Sequence, residues 1–251
     1  MALHSYRLVK TELIVSSGNE KVSLALLKDG ILTELHSESK IPPEYGVGDL
    51  YFGKVKKVVP SLNAAFVDVG YEKDAFLHYL DLGQKFKAVN EFVKKAALGK
   101  SGKYLDNVDL NKEFDLDKDG HIEKVLTPGE EILLQVSKEP ISAKGPRMSC
   151  EITMAGRYLV LVPFSNKVSL SQKIRNPEER DRLRRLLHSI RPANFGVIIR
   201  TVAENKQVEE LHNDLNDMVE RWNQAVFNLD GSAAPDKILG EINKTSTILR
   251  D

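Results

Sequence analysis

The sequence has few of the residues that form covalent or metal cross-links. Its only cysteine is Cys150, so an internal disulfide and a cysteine-rich zinc site are both excluded. This cysteine content fits a reducing compartment. No apolar run approaches the roughly 18 residues of a membrane span, and the N-terminal residues lack the apolar core of a signal peptide. The sequence therefore predicts a cytoplasmic protein without a membrane segment.

The chain also lacks an excess of charge of either sign. Its formal net charge is zero, which argues against a simple basic nucleic-acid-binding protein. The charges are nevertheless segregated, because residues 141–200 carry 12 Lys/Arg and 4 Asp/Glu, a balance of +8, whereas residues 101–140 carry 5 Lys and 10 Asp/Glu, a balance of −5. A local basic face can hold phosphates in a neutral molecule, but the same residues can also form an ordinary solvated surface.

The most informative stretch runs from Gly53 to His78 and is typical of three short β-strands. Its β-rich runs cover residues 55–59, 64–69 and 75–78. Turn-forming residues fill the two breaks between them, which predicts an antiparallel meander, the first half of a small barrel. Since alternate residues of a strand share a face, Phe66 is expected outside the barrel if Ala65 and Val67 fill it.

An outward phenylalanine beside lysines suits a single-stranded nucleic acid, because bases stack on rings and phosphates pair with amines. Phe66 would lie beside Lys54, Lys56 and Lys57, and Phe76 on the next strand would add a second ring. The strand pattern alone leaves open whether the two rings face solvent or belong to the core.

The motifs G-x-V, A-F-V-D-V-G and A-F-L-H resemble the RNA-binding barrel repeated in ribosomal protein S-one, which is an OB-fold. The longer pattern PSLNAAFVDVG, followed after five residues by FLH, is similar to the ribonuclease E/G family, whose barrel is inserted into an RNase H-like domain. The resemblance implies an RNA-binding role for Phe66, Phe76 and His78. A half-buried structural histidine remains the alternative for His78.

The predicted barrel is interrupted by an insertion at residues 81–124. A helical spacing of apolar residues covers 89–98, and an acidic, turn-rich stretch follows it. The fourth and fifth barrel strands are expected near residues 131–137 and 148–152. The family pattern places a lysine of the RNA-binding face between these strands, so the resemblance implies that role for Lys144.

One part of the insertion begins like a calcium-binding loop. Asp115, Asp117 and Asp119 alternate along the chain and Gly120 follows, as in an EF-hand. The twelfth position of the loop is Leu126, where a bidentate glutamate is required. The segment is therefore interpreted as a solvated acidic loop, and no metal site is predicted.

Residues 153–229 are predicted to form a compact ββαβα unit. Its expected strands cover residues 157–163, 167–174 and 196–202. The first helix begins at Asn176 and Pro177, a capping residue followed by proline at the first helical position. The second helix has an apolar face that runs from Val208 to Trp222.

The third strand of this unit ends in an arginine and a threonine. Arg200 could hold a phosphate with two N–H groups and Thr201 could donate once more, although such pairs are common. In the ribonuclease E/G family this strand supplies a pocket that senses a 5′-monophosphate on RNA. The resemblance therefore implies 5′-phosphate binding by Arg200 and Thr201, with backbone groups of Gly156 and Val160 contributing from the strand AGRYLVL.

Together the motifs predict a multidomain α+β chain with a five-stranded OB-fold barrel. The expected parts are a first part of an RNase H-like domain (1–48), the barrel (49–152), a 5′-sensor-like unit (153–229) and the start of a returning RNase H-like segment (230–251). The first part contains three strand patterns with a hairpin at Asp29–Gly30, a sheet too small to bury a core by itself.

The resemblance implies the RNA-binding and 5′-end-recognition region of a single-strand-specific endoribonuclease of RNA processing and decay. The family's magnesium-binding Asp pair, and the CxxC zinc link that builds its homo-oligomer, are expected beyond these residues. The chain is accordingly expected to bind single-stranded RNA with a 5′-monophosphate and to be inactive alone, with no catalytic residue, metal or cofactor of its own. Magnesium and zinc are implied only for a full-length family member.

Two other classes of protein remain open at this point. One is a free-standing, non-catalytic RNA-binding or translation-associated protein that uses the barrel alone. The other is a protein-interaction scaffold whose barrel binds no RNA.

Overall fold

The computed structural model describes residues 9–39, 44–99, 108, 110 and 115–241. These residues divide into two compact units, the first ending at Glu44 and the second running from Tyr45 to Glu241. Parts of the acidic insertion and of the predicted returning segment lie outside the described residues. Within the described ranges, none of the helices combines the length and apolar character that a membrane crossing requires.

The first unit contains a three-stranded antiparallel sheet. Its strands, in spatial order, are β1 (Thr11–Ser17), β2 (Lys21–Lys28) and β3 (Ile31–Ser39). The hairpin between β2 and β3 turns at Asp29 and Gly30, whose φ angles of 51° and 77° are the left-handed values that such a turn requires. The three predicted strands are confirmed, and their place in an RNase H-like domain stays a prediction.

A closed five-stranded barrel forms much of the second unit. Its strands are β4 (Leu50–Val59), β5 (Ala64–Asp68), β6 (Ala75–His78), β7 (Glu131–Lys138) and β8 (Arg147–Ser149). They pair in the order β4-β5-β6-β8-β7, and a pairing of β4 with β7 closes the barrel. This architecture confirms the predicted barrel and the α+β class.

The long strand β4 closes the barrel because its two halves pair with different partners. Residues 54–59 pair with β5, and residues 50–54 pair with β7. Gly53 lies where the three strands converge, and a Cβ there would lie 2.9 Å from the Asp68 carbonyl oxygen and from side-chain atoms of Val67 and Leu134. A larger residue at this position would therefore push the strands apart.

The insertion supplies a helix and also part of the barrel core. Helix α1 (Phe86–Ala97) confirms the predicted helical spacing. The apolar residues Leu116, Ile122 and Leu126 are buried in the barrel core, and the Asn63 side chain donates to the Gly120 carbonyl. The Asp115, Asp117 and Asp119 side chains are exposed, as expected of a solvated acidic loop, and the buried apolar side chains of the segment add a packing role that was not predicted.

The predicted ββαβα unit is also present. Its elements are β10 (Leu159–Pro163), β11 (Val168–Leu170), α2 (Pro177–Ile190), β12 (Phe195–Ile199) and α3 (Val208–Leu229), and a short additional strand, β9 (Met154–Ala155), precedes them. The sheet order is β11-β12-β10-β9, with β12 antiparallel to β10 and parallel to β11. Helix α2 begins as expected, since the Asn176 side chain accepts the N–H groups of Glu178 and Glu179.

One buried hydrophobic cluster joins residues of the barrel to the ββαβα unit, and a second cluster fills the barrel interior. Phe52 of the barrel, Phe92 of α1 and Trp222 of α3 belong to the same buried cluster. Strand β13 (Asp236–Leu239) then pairs antiparallel with the first residues of β4. The described part of the 230–251 segment thus adds a strand to the barrel sheet.

We expect the single cysteine to be almost unreactive in the folded protein. Cys150 lies in the barrel core, and burial raises the pKa of its thiol far above the ordinary value. Each unit of increase removes about a factor of ten in thiolate, the nucleophilic form. Alkylation at pH 8 should therefore be more than about a hundredfold slower than in denaturant. Equal rates under both conditions would show that the thiol is accessible.

Candidate nucleic-acid interface

Phe66 and Phe76 lie opposite each other on β5 and β6, with both side chains half-buried on the outside of the barrel. Their ring centroids are 5.9 Å apart with an interplanar angle of 72°, an edge-to-face pair. Their strand neighbours Ala65, Val67 and Leu77 point into the core instead. The expectation that the two rings lie outside the core is therefore confirmed, because the alternation of β5 and β6 follows the barrel wall.

The three lysines beside Phe66 have different surroundings. The Lys56 ammonium lies 2.9 Å from an Asp74 carboxylate oxygen and 3.2 Å from one of Asp68. Hydrogen bonds to Asp74 and Asp68 raise the pKa of Lys56 above its ordinary value. Lys54 and Lys57 are exposed, and among the described residues no carboxylate lies within ion-pair distance of either. The positive charge beside the rings thus comes mainly from Lys54 and Lys57.

His78 ends β6, two residues beyond Phe76 and on the same side of the strand. Its Nδ1 atom accepts the N–H of Leu80 at 3.2 Å and caps a short 3₁₀ turn at Tyr79–Asp81. In the neutral ring this bond leaves the proton on Nε2, so the imidazole presents a hydrogen-bond donor. His78 therefore has a structural role in the turn and keeps one nitrogen for a ligand.

Lys144 is exposed in the loop between β7 and β8. Ile141 and Lys144 exchange backbone hydrogen bonds of 3.0 and 3.3 Å, so the loop is a tight turn. The following Gly145 packs closely on the Asp74 carbonyl, and the Pro146 carbonyl accepts the Phe76 N–H at 2.8 Å. These contacts hold the residues that follow Lys144 against the start of β6, the strand that carries Phe76.

Arg200 follows β12 and reaches back to the segment that precedes β10. Its Nη1 atom donates to the carbonyls of Gly156 and Arg157 at 2.8 and 3.0 Å. Its own N–H donates to the Tyr158 carbonyl at 2.9 Å. The structure therefore brings Arg200 to Gly156, as the resemblance implied for these two residues.

Thr201 and Val160 complete the group of residues expected at this site. The Thr201 hydroxyl lies 3.1 Å from that of Ser171, which follows β11. Val160 is half-buried and pairs with Ile198 on the face of the sheet opposite the core. Thr201 adds a polar group beside Arg200, and Val160 adds an apolar wall at the same sheet.

A carboxylate of helix α3 organises the turn between β9 and β10. The two Asp214 oxygens accept the N–H groups of Arg157, Tyr158 and Leu159 at 2.8–2.9 Å. A Cβ on Gly156 would lie 2.6–2.8 Å from the Asp214 carboxylate, so only glycine permits this approach. The three N–H groups of the turn are therefore used by Asp214, and the Gly156 N–H donates to the Leu159 carbonyl at 2.8 Å, so these backbone donors are not available to a ligand.

Comparisons with known proteins found a matching family model and several relatives. Residues 153–251 match the model of the Ribonuclease E/G family. The chain is 33% identical over 240 residues to ribonuclease G of Haemophilus influenzae, covering 96% of the chain and 45% of that protein. It is 34% identical over 206 residues to ribonuclease E of a Nostoc species, covering 82% of the chain and 26% of that protein.

The chain belongs to the ribonuclease E/G family. It spans less than half the length of these ribonuclease G and ribonuclease E relatives. The family assignment made from the barrel motifs is thus confirmed, and it now rests on most of the chain.

In this ribonuclease E/G family chain, sequence reasoning missed two residues that contact the group around Arg200. Asp214 is 57 residues from Arg157, and Ser171 is 30 residues from Thr201. The only signal for Asp214 was its place in the first half of an amphipathic helix, where an acidic residue is ordinary. Neither contact has a local sequence pattern.

The described residues contain no group of three or more His, Cys, Asp or Glu side chains that could hold a metal ion. The alternating carboxylates at 115–119 are therefore not arranged as a calcium site. The magnesium and zinc implied for a full-length family member stay predictions, and neither ion enters the function proposed below.

Proposed function

We propose that this chain is the RNA-binding and 5′-end-recognition region of a single-strand-specific endoribonuclease that acts in RNA processing and decay. The barrel face holds the bases and backbone of the RNA. The group around Arg200 receives the phosphate at its 5′ end. The relatives named ribonuclease G and ribonuclease E support the nuclease context.

The observation that carries the proposal is the outward pair Phe66–Phe76 with lysines at its edges. Rings that are half-buried on a barrel surface cost free energy unless something covers them, and bases cover them by stacking. Lys54, Lys57 and Lys144 supply exposed positive charge for the phosphates between these bases.

Recognition of the 5′ end follows from the polar groups around Arg200. A guanidinium beside a hydroxyl pair can bind a terminal phosphate through several charge-assisted hydrogen bonds. Here the pair is formed by Thr201 and Ser171, and Nη1 of Arg200 is oriented by the Gly156 and Arg157 carbonyls. Orientation before binding reduces the entropy that the arginine would lose in the complex.

The decisive experiment compares binding of one RNA with either a 5′-monophosphate or a 5′-hydroxyl. We expect the wild-type chain to prefer the phosphorylated RNA, and Arg200→Ala to lose about 1.5–3 kcal/mol of that preference, or roughly ten- to a hundredfold in Kd. Binding of the 5′-hydroxyl RNA should change little. Fluorescence anisotropy with the RNA labelled at its 3′ end measures both affinities.

Arg191→Ala is the matched control, because Arg191 is also half-buried in this unit and donates from Nη1 to a backbone carbonyl, that of Phe195. It should leave the 5′-phosphate preference unchanged. RNA binding with no 5′-phosphate preference would contradict the sensor role and favour a protein that uses the barrel alone. Absence of RNA binding, together with salt-insensitive binding of a protein partner, would favour the scaffold.

Other expectations concern the longer protein and stay predictions. They are magnesium-dependent cleavage, a zinc link, a homo-oligomer and a cytoplasmic location. The chain by itself is expected to bind RNA without cutting it.

A further inference from the structure

The register of the barrel strands aligns five side chains in one row across its outer surface. Cα partners run from Lys57 to Phe66, from Phe66 to Phe76, from Phe76 to Arg147 and from Arg147 to Lys138. Directly paired residues share a face of a sheet. The row therefore has an order of lysine, two phenylalanines, arginine and lysine, and the arginine lies next to the rings.

Arg147 is held in one orientation by an aspartate in the 3₁₀ turn that follows the neighbouring strand β6. Its Nε and Nη2 atoms donate to Oδ2 of Asp81 at 3.0 and 2.8 Å. Asp81 is itself tied to β8, because its carbonyl accepts the Cys150 N–H at 2.7 Å and the Ser149 hydroxyl at 3.1 Å. The Arg147 side chain nevertheless keeps 42% of its surface exposed.

This pairing distinguishes Arg147 from the lysines of the row. Asp81 offsets the positive charge of Arg147, which weakens it as a partner for phosphate. Among the described residues no carboxylate pairs with Lys57 or Lys138, so these two suit the RNA backbone. A guanidinium fixed in one plane provides a flat surface on which an RNA base can stack.

We propose that Arg147 is a third stacking platform of the RNA-binding face and that Asp81 is its positioning residue. The ligand is a single-stranded RNA with consecutive bases on Phe66, Phe76 and the Arg147 guanidinium. This inference deepens the proposed function and rests on it. It assigns to Arg147 a contact with a base rather than with a phosphate.

The test uses oligouridylate RNA with a 5′-hydroxyl, which separates the barrel face from the Arg200 site. Arg147→Lys keeps the charge and removes the plane, and we expect it to weaken binding about five- to tenfold, the lower part of the range for one stacked base. Asp81→Asn should also weaken binding, although it removes a negative charge. Lys57→Ala should instead reduce the salt dependence of log Kd by about 0.7.

A thermodynamic cycle locates the contact. An abasic nucleotide is placed at each position of the oligouridylate in turn. At the position whose base stacks on Arg147, the weakening of binding by Arg147→Lys should disappear. Arg184→Lys on α2 is the matched control, since Arg184 is 46% exposed and pairs with Asp181 at 3.3 Å; it should bind as the wild type does. Thermal unfolding of every variant confirms that it is folded.

The outcomes separate this inference from the proposed function. If Phe66→Ala and Phe76→Ala weaken binding while Arg147→Lys does not, the inference alone is wrong. Tighter binding by Asp81→Asn would also overturn it, because a phosphate contact predicts that result. If the phenylalanine variants bind as the wild type does, the proposed RNA-binding face itself is wrong.

Discussion

Replacement of both Phe66 and Phe76 by alanine is expected to reduce the affinity for single-stranded RNA by about 10²-fold or more. A base stacked on an aromatic ring contributes about 1–3 kcal/mol by alanine substitution. The two rings contact each other edge to face, so each also holds the other in position. The double variant should therefore lose most of the binding that does not depend on salt, which anisotropy titrations at several salt concentrations measure.

Two further variants serve as controls in that experiment. One removes an exposed phenylalanine elsewhere on the surface, and the other keeps the apolar volume of the two side chains without their rings. Phe227→Ala removes a phenylalanine that is 70% exposed on α3, and it should leave RNA affinity unchanged. A Phe66→Leu/Phe76→Leu protein keeps much of the apolar volume but lacks the ring faces, so it should bind nearly as weakly as the alanine variant. Binding by the leucine variant that equals the wild type would mean that the rings serve only packing.

Replacement of Trp222 by alanine is expected to lower the free energy of unfolding by about 3–5 kcal/mol, the range for large aromatic truncations in a core. Trp222 has no exposed surface, and its ring lies 5.6–6.5 Å, centroid to centroid, from those of Phe92, Phe164 and Phe195. Those partners belong to α1, to the chain after β10 and to β12. The cavity would therefore affect the barrel insertion and the ββαβα unit together.

Urea unfolding followed by circular dichroism measures this loss for the alanine variant. Trp222→Phe should lower the free energy of unfolding clearly less. It keeps a ring, and the indole N–H that it removes has no hydrogen-bond partner among the described residues. Phe227→Ala on the same helix should change stability by less than about 0.5 kcal/mol, as is usual for surface sites. A small decrease in the free energy of unfolding for Trp222→Ala would contradict the role of the buried cluster that joins the barrel to the ββαβα unit. Separate unfolding transitions of these two parts would contradict it as well.

Local pattern was sufficient for the elements and for the alternation along β5, but it left open which face of β5 lines the barrel interior. In the structure, alternation along β5 places Ala65 and Val67 inside the barrel and Phe66 outside, because side chains of a strand alternate with period two. The helix cap at Asn176 and the hairpin at Asp29–Gly30 could also be predicted from neighbouring residues alone. The family resemblance added the roles of Lys144 and Arg200, which pattern alone did not give.

The contacts that orient the proposed site were not visible in the sequence. Arg147 and Asp81 are 66 residues apart, so neither residue suggests the other. Lys56 belonged to the expected basic group, yet Asp68 and Asp74 pair with it. The packing of the acidic segment after residue 114 was not predicted, because its charges dominate the pattern while Ile122 and Leu126 determine where it packs.

By itself the sequence determined which residues form strands and helices, which face of each is apolar, and to which family the chain belongs. Each of these depends on neighbours a few positions away or on a continuous motif. Only the tertiary structure decided which cation each carboxylate holds and which side chains form a row across the barrel. Strand register and helix docking create those neighbours, and they are set by the packing of the whole unit, so residues distant in the chain become partners without any local signal.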